Sequence, residues 1–249
     1  MAYIKQIHVA GGLSHFKADI MRRWGAVEVS NPDMPAVFYG MYNPQEKEML
    51  RNHRALARVV WCGSDAMRIN DTLAALVKRP GVKNIAASAF ISQSLFRWGI
   101  DHTIVPLTGK TPQADPCPRG DKVYWYYGCN PDFYGKKYVD EVKKQLPFEF
   151  VEARHNTFPK HILYEKYREC FIALRLTPYD GFPTTVIEMG LLGRPSIHNG
   201  IEPHCIHWKG VDDIVKSIQR EYDKRHEPNE YIARDWEKYV DVGRSWLEY

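Results

Sequence analysis

The run FIALRLTPYDGFPTTVIEMGLLGRPSIHN, from Phe171 to Asn199, constrains this chain more than any other stretch. FIALRL is a short apolar run that reads as a buried strand, and the Pro/Asp/Gly turn at PYDG stops it. TTVIEMGLL then carries apolar residues at helical spacing, and GRPSI enters a second strand. A strand, turn, helix, strand unit of an α/β sheet presents its first turn and its helix N-terminus at the carboxyl edge of the strands, where ligands bind. Asp180 lies in the turn and Glu188 about one turn into the helix, so both acids are expected to point into one cleft. Each also has a purely local reading. Thr185 followed three residues later by Glu188 forms a capping box, and Asp180-Gly181 is an ordinary turn. The same helix start can serve both ends, because its open N–H groups and macrodipole attract anions.

The rest of the chain repeats this alternation. Strands are expected at Tyr3–Val9, near Val27, and at Ala36–Tyr39, Arg58–Cys62, Asn84–Ala87 and His102–Val105. Helices are expected at His15–Trp24 with Ser14 as N-cap, and at Pro44–Leu56, Thr72–Lys78 and Ala89–Trp98. PLTGKTPQADPCPRGD, from Pro106 to Asp121, has no periodicity and reads as a linker. The pattern then restarts with an aromatic strand at Lys122–Tyr127, a helix ending near Leu146, a strand at Phe148–Ala153 and a helix at Pro159–Cys170. Helix Val211–Lys224 and an amphipathic segment Asn229–Tyr249 close the chain. The expected domains are 1–106, a linker 107–121, 122–228, and a terminal helix 229–249 packing back on the first domain. Such alternation favours doubly wound parallel sheets.

Composition narrows the function classes. With 44% hydrophobic and 26% charged residues the chain is an ordinary globular sequence. No run approaches the roughly 18 apolar residues of a membrane span, and MAYIKQIHVAGG leads into a strand pattern instead of a signal peptide, so a cytoplasmic location without membrane insertion is expected. Five scattered cysteines give neither a disulfide framework nor a Cys-x-x-Cys site. His204-Cys205-x-His207 near His198 is awkward for a tetrahedral zinc site, because two ligands are adjacent. Gly-x-Ser-x-Gly and Walker motifs are missing. Residues 1–106 hold 13 Lys/Arg against 8 Asp/Glu, a charge of +5 beside the whole-chain +4. That excess suits a polyanionic acceptor, although solvated surface charge explains it equally.

DGFPTTVIEMGLLGRPSI resembles the signature of retaining nucleotide-sugar glycosyltransferases with the GT-B fold: an acid, Gly, Phe, a second acid eight positions on, a small-residue helix and a Gly-x-Pro strand entry. The resemblance covers about a tenth of the chain and departs from the pattern at Asp180, usually Glu, and at Pro183, usually Gly. It implies an α/β protein of two Rossmann-like domains facing a cleft, with the C-terminal helix crossing back. It also implies a nucleotide-sugar donor, with UDP-glucose the best guess, and no cofactor or metal. Asp180 would contact the donor sugar and Glu188 the ribose, with Gly181, Thr184 and Thr185 at the helix start meeting the diphosphate. Gly11 and Gly12, in the first glycine turn, would approach the donor. Cys129 stands where the family has a diphosphate-binding arginine; Lys136 or Lys137 lies near the family's lysine, and Arg175 is our candidate for the missing guanidinium.

For the acceptor, WCGSDA ends a strand at the carboxyl edge. Ser64 is therefore a candidate acceptor contact and Asp65 a candidate base, with helix capping as the competing role. Arg22 and Arg54, among the basic residues near Trp24, Tyr39 and Tyr42, would meet phosphates if they share a face. Compact relatives that glycosylate 5-hydroxymethyl pyrimidines in viral DNA make DNA the expected partner. A saccharide or cell-envelope acceptor is the alternative, as is a degenerate GT-B module that binds nucleotides without turnover.

Overall fold

The computed structural model of the protein describes residues 3–107, 116–154, 157–181, 183–241 and 243–248. The chain divides into two units: unit 1 comprises Met1–Thr111 with Val240–Tyr249, and unit 2 comprises Pro112–Tyr239.

Unit 1 is built on a parallel sheet of β1 (Gln6–Val9), β2 (Ala36–Tyr39), β3 (Ala57–Trp61), β4 (Val82–Ala86) and β5 (His102–Ile104), which lie side by side in that order. Every residue of β2 and β3 is buried, so neither strand alternates; a parallel sheet covered on both faces selects continuous apolar runs of this kind. Val27, where a short strand was expected, contributes a single parallel bridge to Gln6 on the free flank of β1. The chain therefore steps one way from β1 through α1 (Lys17–Trp24) to Val27, then reverses and runs from β2 to β5. Right-handed crossovers place the connections of the two directions on opposite faces. Accordingly Ile20 and Trp24 of α1 pack with Ile7, Val9, Val37 and Val60. α2 (Pro44–Asn52), α3 (Asp71–Val77) and α4 (Ala89–Arg97) send Leu50, Leu73, Val77, Ile91 and Leu95 to the other face, against Phe38, Val59 and Trp61. Ser14 does not cap α1, because a 3-10 turn over Gly11–Phe16 precedes the helix.

Unit 2 holds β6 (Lys122–Gly128), β7 (Phe150–Arg154), β8 (Cys170–Leu174), β9 (Ser196–Ile197) and β10 (Cys205–Ile206), all parallel, in the order β10-β9-β8-β6-β7. α5 (Lys136–Gln145) and α8 (Val211–Asp223) bury Val139, Val142, Ile214 and Ile218 on one face, with Val123, Trp125 and Leu174. α6 (Lys160–Arg168) and α7 (Thr184–Leu191) place Tyr167 and Met189 on the other, with Tyr124, Val151 and Ala173. The strand order reverses between β6 and β8, and the loops leaving those two strands splay apart at the carboxyl edge.

The C-terminal region differs from the expected bracing helix. α9 (Glu230–Val240) belongs to unit 2 up to Tyr239: Trp236 is buried, and its indole occupies the space a side chain at Gly190 would fill, an added Cβ falling 2.0 Å from Nε1. The tail after α9 is what joins unit 1. Trp246 stacks edge-on against Trp24 at 5.1 Å, and Ile4 N–H donates to Leu247 O at 3.0 Å. The expected linker is shorter than 107–121. Leu107 is buried in unit 1 and its carbonyl accepts from Tyr39 Oη, whereas Cys117 and Pro118 are held by Arg194 in unit 2. Residues 108–115 lie outside the described residues.

Candidate functional site

The reversal between β6 and β8 sets the site of unit 2. After β8 the chain continues through Arg175 into the Asp180 turn. Arg175 Nε donates to Asp180 Oδ2 at 2.6 Å, and Nη2 lies 2.6 Å from the same oxygen as an ion pair. The guanidinium lies over the rings of Tyr126 at 5.0 Å and Tyr134 at 4.6 Å. Burial opposes the charge on Arg175, but Asp180 beside it outweighs that cost and raises the pKa above its ordinary value. Burial, with Tyr134 alongside, pushes the Tyr126 phenol up to about 12, so it stays neutral in the physiological range. Tyr126, Cys129, Asn130, Phe133 and Tyr134 line a hollow of about 360 Å³ beside this pair. Gly128 opens the loop at positive φ, where an added Cβ would come within 2.3 Å of the Tyr134 ring. Only glycine lets that ring close over the strand end.

Glu188 is 8% exposed and belongs to a second tyrosine system. Tyr167 Oη donates to its Oε2 at 2.9 Å and Tyr164 Oη reaches Oε1 at 3.5 Å. Tyr167 also stands edge-on to Tyr124 at 4.8 Å. Tyr124 and Tyr126 are two residues apart on β6 and share a face. One leads to Glu188, the other to Arg175 and Asp180, so both acids lie on the sheet face that α7 covers. The capping box does not form. Pro183 takes the N-cap position of α7, no side chain caps the helix, and Glu188 falls at its fifth residue. Gly181 and Thr185 are buried and Thr184 is half-buried at the helix start. Phe182 lies outside the described residues. Lys136 and Lys137 open α5 at the same edge, both exposed. Lys136 pairs with Asp140 at 2.5 Å and Lys137 Nζ lies 4.8 Å from the Tyr138 ring centre.

In unit 1, Gly11, Gly12 and Ser64 lie in loops leaving β1 and β3 at the carboxyl edge, and all three are exposed. The Gly11 amide already donates to Glu46 Oε1 at 3.3 Å. Asp65 is 0% exposed. Its oxygens accept from the backbone N–H groups of Gly63 at 2.8 Å, Ala66 at 3.0 Å, and Met41 and Cys62 at 3.3 Å. Burial raises its pKa against the pull of those four donors. With every lone-pair direction taken by backbone, Asp65 braces two strand ends and has no geometry for an acceptor base. Asp65→Ala is therefore expected to destabilise the protein by about 3 kcal/mol through orphaned donors. Turnover per folded molecule should be unchanged, where loss of a general base would cost two orders of magnitude or more. Urea melts and initial rates on the same preparation separate the two roles.

Arg22 and Arg54 lie away from the carboxyl edge. Helices run antiparallel to the strands they follow, so the end of α1 and the residues after α2 lie at the amino edge. Arg22 there pairs with Asp19 at 2.6 Å, and Arg54 with Asp33 through Nε and Nη2 at 2.5 Å each. Among the described residues no three His, Cys, Asp or Glu side chains group as metal ligands. His204 pairs with Asp235 at 2.9 Å and His207 with Gly200 O. No described helix is long and apolar enough to cross a membrane.

No family model and no curated protein sequence matches the chain. Solved structures do. Sucrose-phosphate synthase from Thermosynechococcus elongatus superposes with a TM-score of 0.63 at 14% identity, over 94% of this chain and 73% of its own. HepE of Anabaena, solved in complex with UDP and glucose, gives 0.62 at 10% identity over 96% of both chains. TarM gives 0.55 at 11% identity, with 85% of this chain spanning about half (52%) of TarM. The fold is that of GT-B glycosyltransferases. Within this GT-B chain the structure brings Arg175 and Asp180 together and sets Glu188 among tyrosines; the sequence had singled out all three residues. Sequence reasoning missed Tyr126, Tyr134, Tyr164 and Tyr167, which hold them. The i, i+3 spacing of Tyr164 and Tyr167, and the alternation of Tyr124 and Tyr126, were the signals available.

Proposed function

We propose that the protein is a glycosyltransferase that moves a hexose from a nucleoside diphosphate sugar, UDP-glucose being the first donor to test, onto an acceptor hydroxyl. One observation carries this reading. Asp180 and Glu188, the two acids of the resemblance, border one face of unit 2 at a topological switch point, each already oriented by an arginine or by tyrosines. HepE, solved in complex with UDP and glucose, supports the donor class. In this reading Glu188 grips ribose hydroxyls, and Asp180 orients the hexose. Lys136, Lys137 and the backbone N–H groups opening α7 meet the diphosphate. Negative charge grows on the departing nucleotide in the transition state, so fixed donors aimed at it lower the barrier without a metal. Retention of configuration follows from the resemblance.

A saccharide acceptor fits better than DNA. The arginines chosen for phosphate contact are ion-paired at the amino edge, while the exposed carboxyl-edge residues Gly12 and Ser64 are uncharged. A viral DNA-modifying enzyme remains the second reading, through the resemblance alone. A panel of nucleotide sugars incubated with the protein and followed by mass spectrometry tests the proposal. Slow release of free hexose from one donor is expected, with turnover rising when saccharide acceptors are added. Donor binding with no release under any condition identifies a non-catalytic module, and rate enhancement by hydroxymethylated duplex DNA alone selects the second reading.

A further inference from the structure

The Arg175–Asp180 pair has a geometry that its expected role in diphosphate binding does not require. Nε and Nη2 converge on a single oxygen, Oδ2, at 2.6 Å each. Among the described residues Asp180 Oδ1 has no hydrogen-bond partner, and the Asp180 side chain is 14% exposed. The arginine is fixed from every side. Tyr126 and Tyr134 lie against its guanidinium, its N–H donates to Ile197 O at 3.0 Å, and His198 Nδ1 meets its carbonyl at 3.2 Å. Asp180 itself sits in a loop with one restraint of comparable strength, the arginine.

We infer that Arg175 is a positioning residue for Asp180: it holds Oδ2 and turns Oδ1 out to accept a hydrogen bond from a hydroxyl of the donor's sugar, and it does not meet the donor's phosphates. This rests on the nucleotide-sugar reading above. A guanidinium matched by a carboxylate at 2.6 Å presents a nearly neutral unit to an incoming ligand. It is therefore suited to polar recognition of a hydroxyl and poorly suited to a diphosphate, for which the unmatched cation would serve. Planar guanidinium geometry is what allows two donors on one oxygen while the ring stacking is kept, so lysine is a poor replacement.

Calorimetric titration of the full chain with UDP and separately with UDP-glucose tests this, using wild type, Arg175→Lys, Asp180→Asn and the double variant Arg175→Met/Asp180→Asn. The double variant removes both charges, so no carboxylate is left buried and unpaired. Wild type is expected to bind UDP-glucose roughly tenfold more tightly than UDP, the worth of one hydrogen bond to a charged group. That margin should vanish in Asp180→Asn and in the double variant and fall sharply in Arg175→Lys, with UDP affinity unchanged in all. UDP affinity that falls together with UDP-glucose affinity in the double variant, but not in Asp180→Asn, would assign Arg175 to the phosphates and overturn the inference. A full margin retained in Arg175→Lys would also overturn it. If wild type binds UDP without favouring UDP-glucose, this inference fails while the nucleotide reading stands; if it binds neither, both fail.

Discussion

Arg194→Met is expected to lower stability by about 4 kcal/mol, a large share of the total for a protein of this size. Arg194 is 0% exposed, and among the described residues it has no acidic hydrogen-bond partner. Its guanidinium is instead caged by backbone oxygens. Nε donates to Cys170 O at 2.9 Å, Nη1 to Leu192 O and to Cys117 O at 3.4 Å, and Nη2 to Pro118 O at 2.9 Å and Arg168 O at 3.2 Å, with Cys117 Sγ at 3.3 Å. These carbonyls come from the start of unit 2, the end of α6, β8 and the turn after α7. One side chain thus ties together four segments that are distant in sequence. Burial lowers its pKa against the opposing pull of Cys117. Methionine fills the volume but leaves the acceptors dry, at about 1–3 kcal/mol for each one that water cannot reach. Urea denaturation of both proteins measures the difference. A loss below about 1 kcal/mol would mean that water enters the cage and the hub has little weight.

Glu188→Gln is expected to reduce kcat/KM for the donor by about a hundredfold while the melting temperature barely moves. The carboxylate is held by Tyr167 at 2.9 Å and Tyr164 at 3.5 Å. A glutamine oxygen still accepts from Tyr167, so packing survives. What is lost is a charged acceptor for ribose hydroxyls, and two such bonds are worth about 3 kcal/mol together. Equal losses of stability and activity would return Glu188 to a structural role within the tyrosine cluster. Because no side chain caps α7, a capping explanation of any loss is closed.

Much of this was readable from the chain. The alternation of apolar runs and helical spacing fixed two parallel sheets, since buried strands such as AVFY and FIAL have no polar face to alternate with. The strand and helix that carry the two acids followed from a single local unit. The edge on which Arg22 and Arg54 lie was also readable, because each follows the body of a helix that runs back to the amino edge. Asp65 was not: its four donors come from Met41 and from the residues around it, and only pairing of β2 with β3 brings them together. Arg194 was hidden for the same reason, its partners lying 2 to 77 positions away. Ser14 and the Thr185–Glu188 pair carried good capping sequences that lost to tertiary context, one to a 3-10 turn and the other to the bond between Glu188 and Tyr167. Local hydrogen bonds of about 1 kcal/mol give way when a buried partner is on offer.

The claim on which the account turns is that a nucleotide sugar sits on the carboxyl edge of unit 2. Amide hydrogen exchange of the full chain with and without saturating UDP-glucose reads this directly. The account predicts slowed exchange in the Gly128–Lys137 loop and from Arg175 to Glu188, with the amino-edge residues around Arg22 and Arg54 unaffected. Binding that leaves both unit 2 segments unprotected, or that protects the amino edge instead, would contradict it.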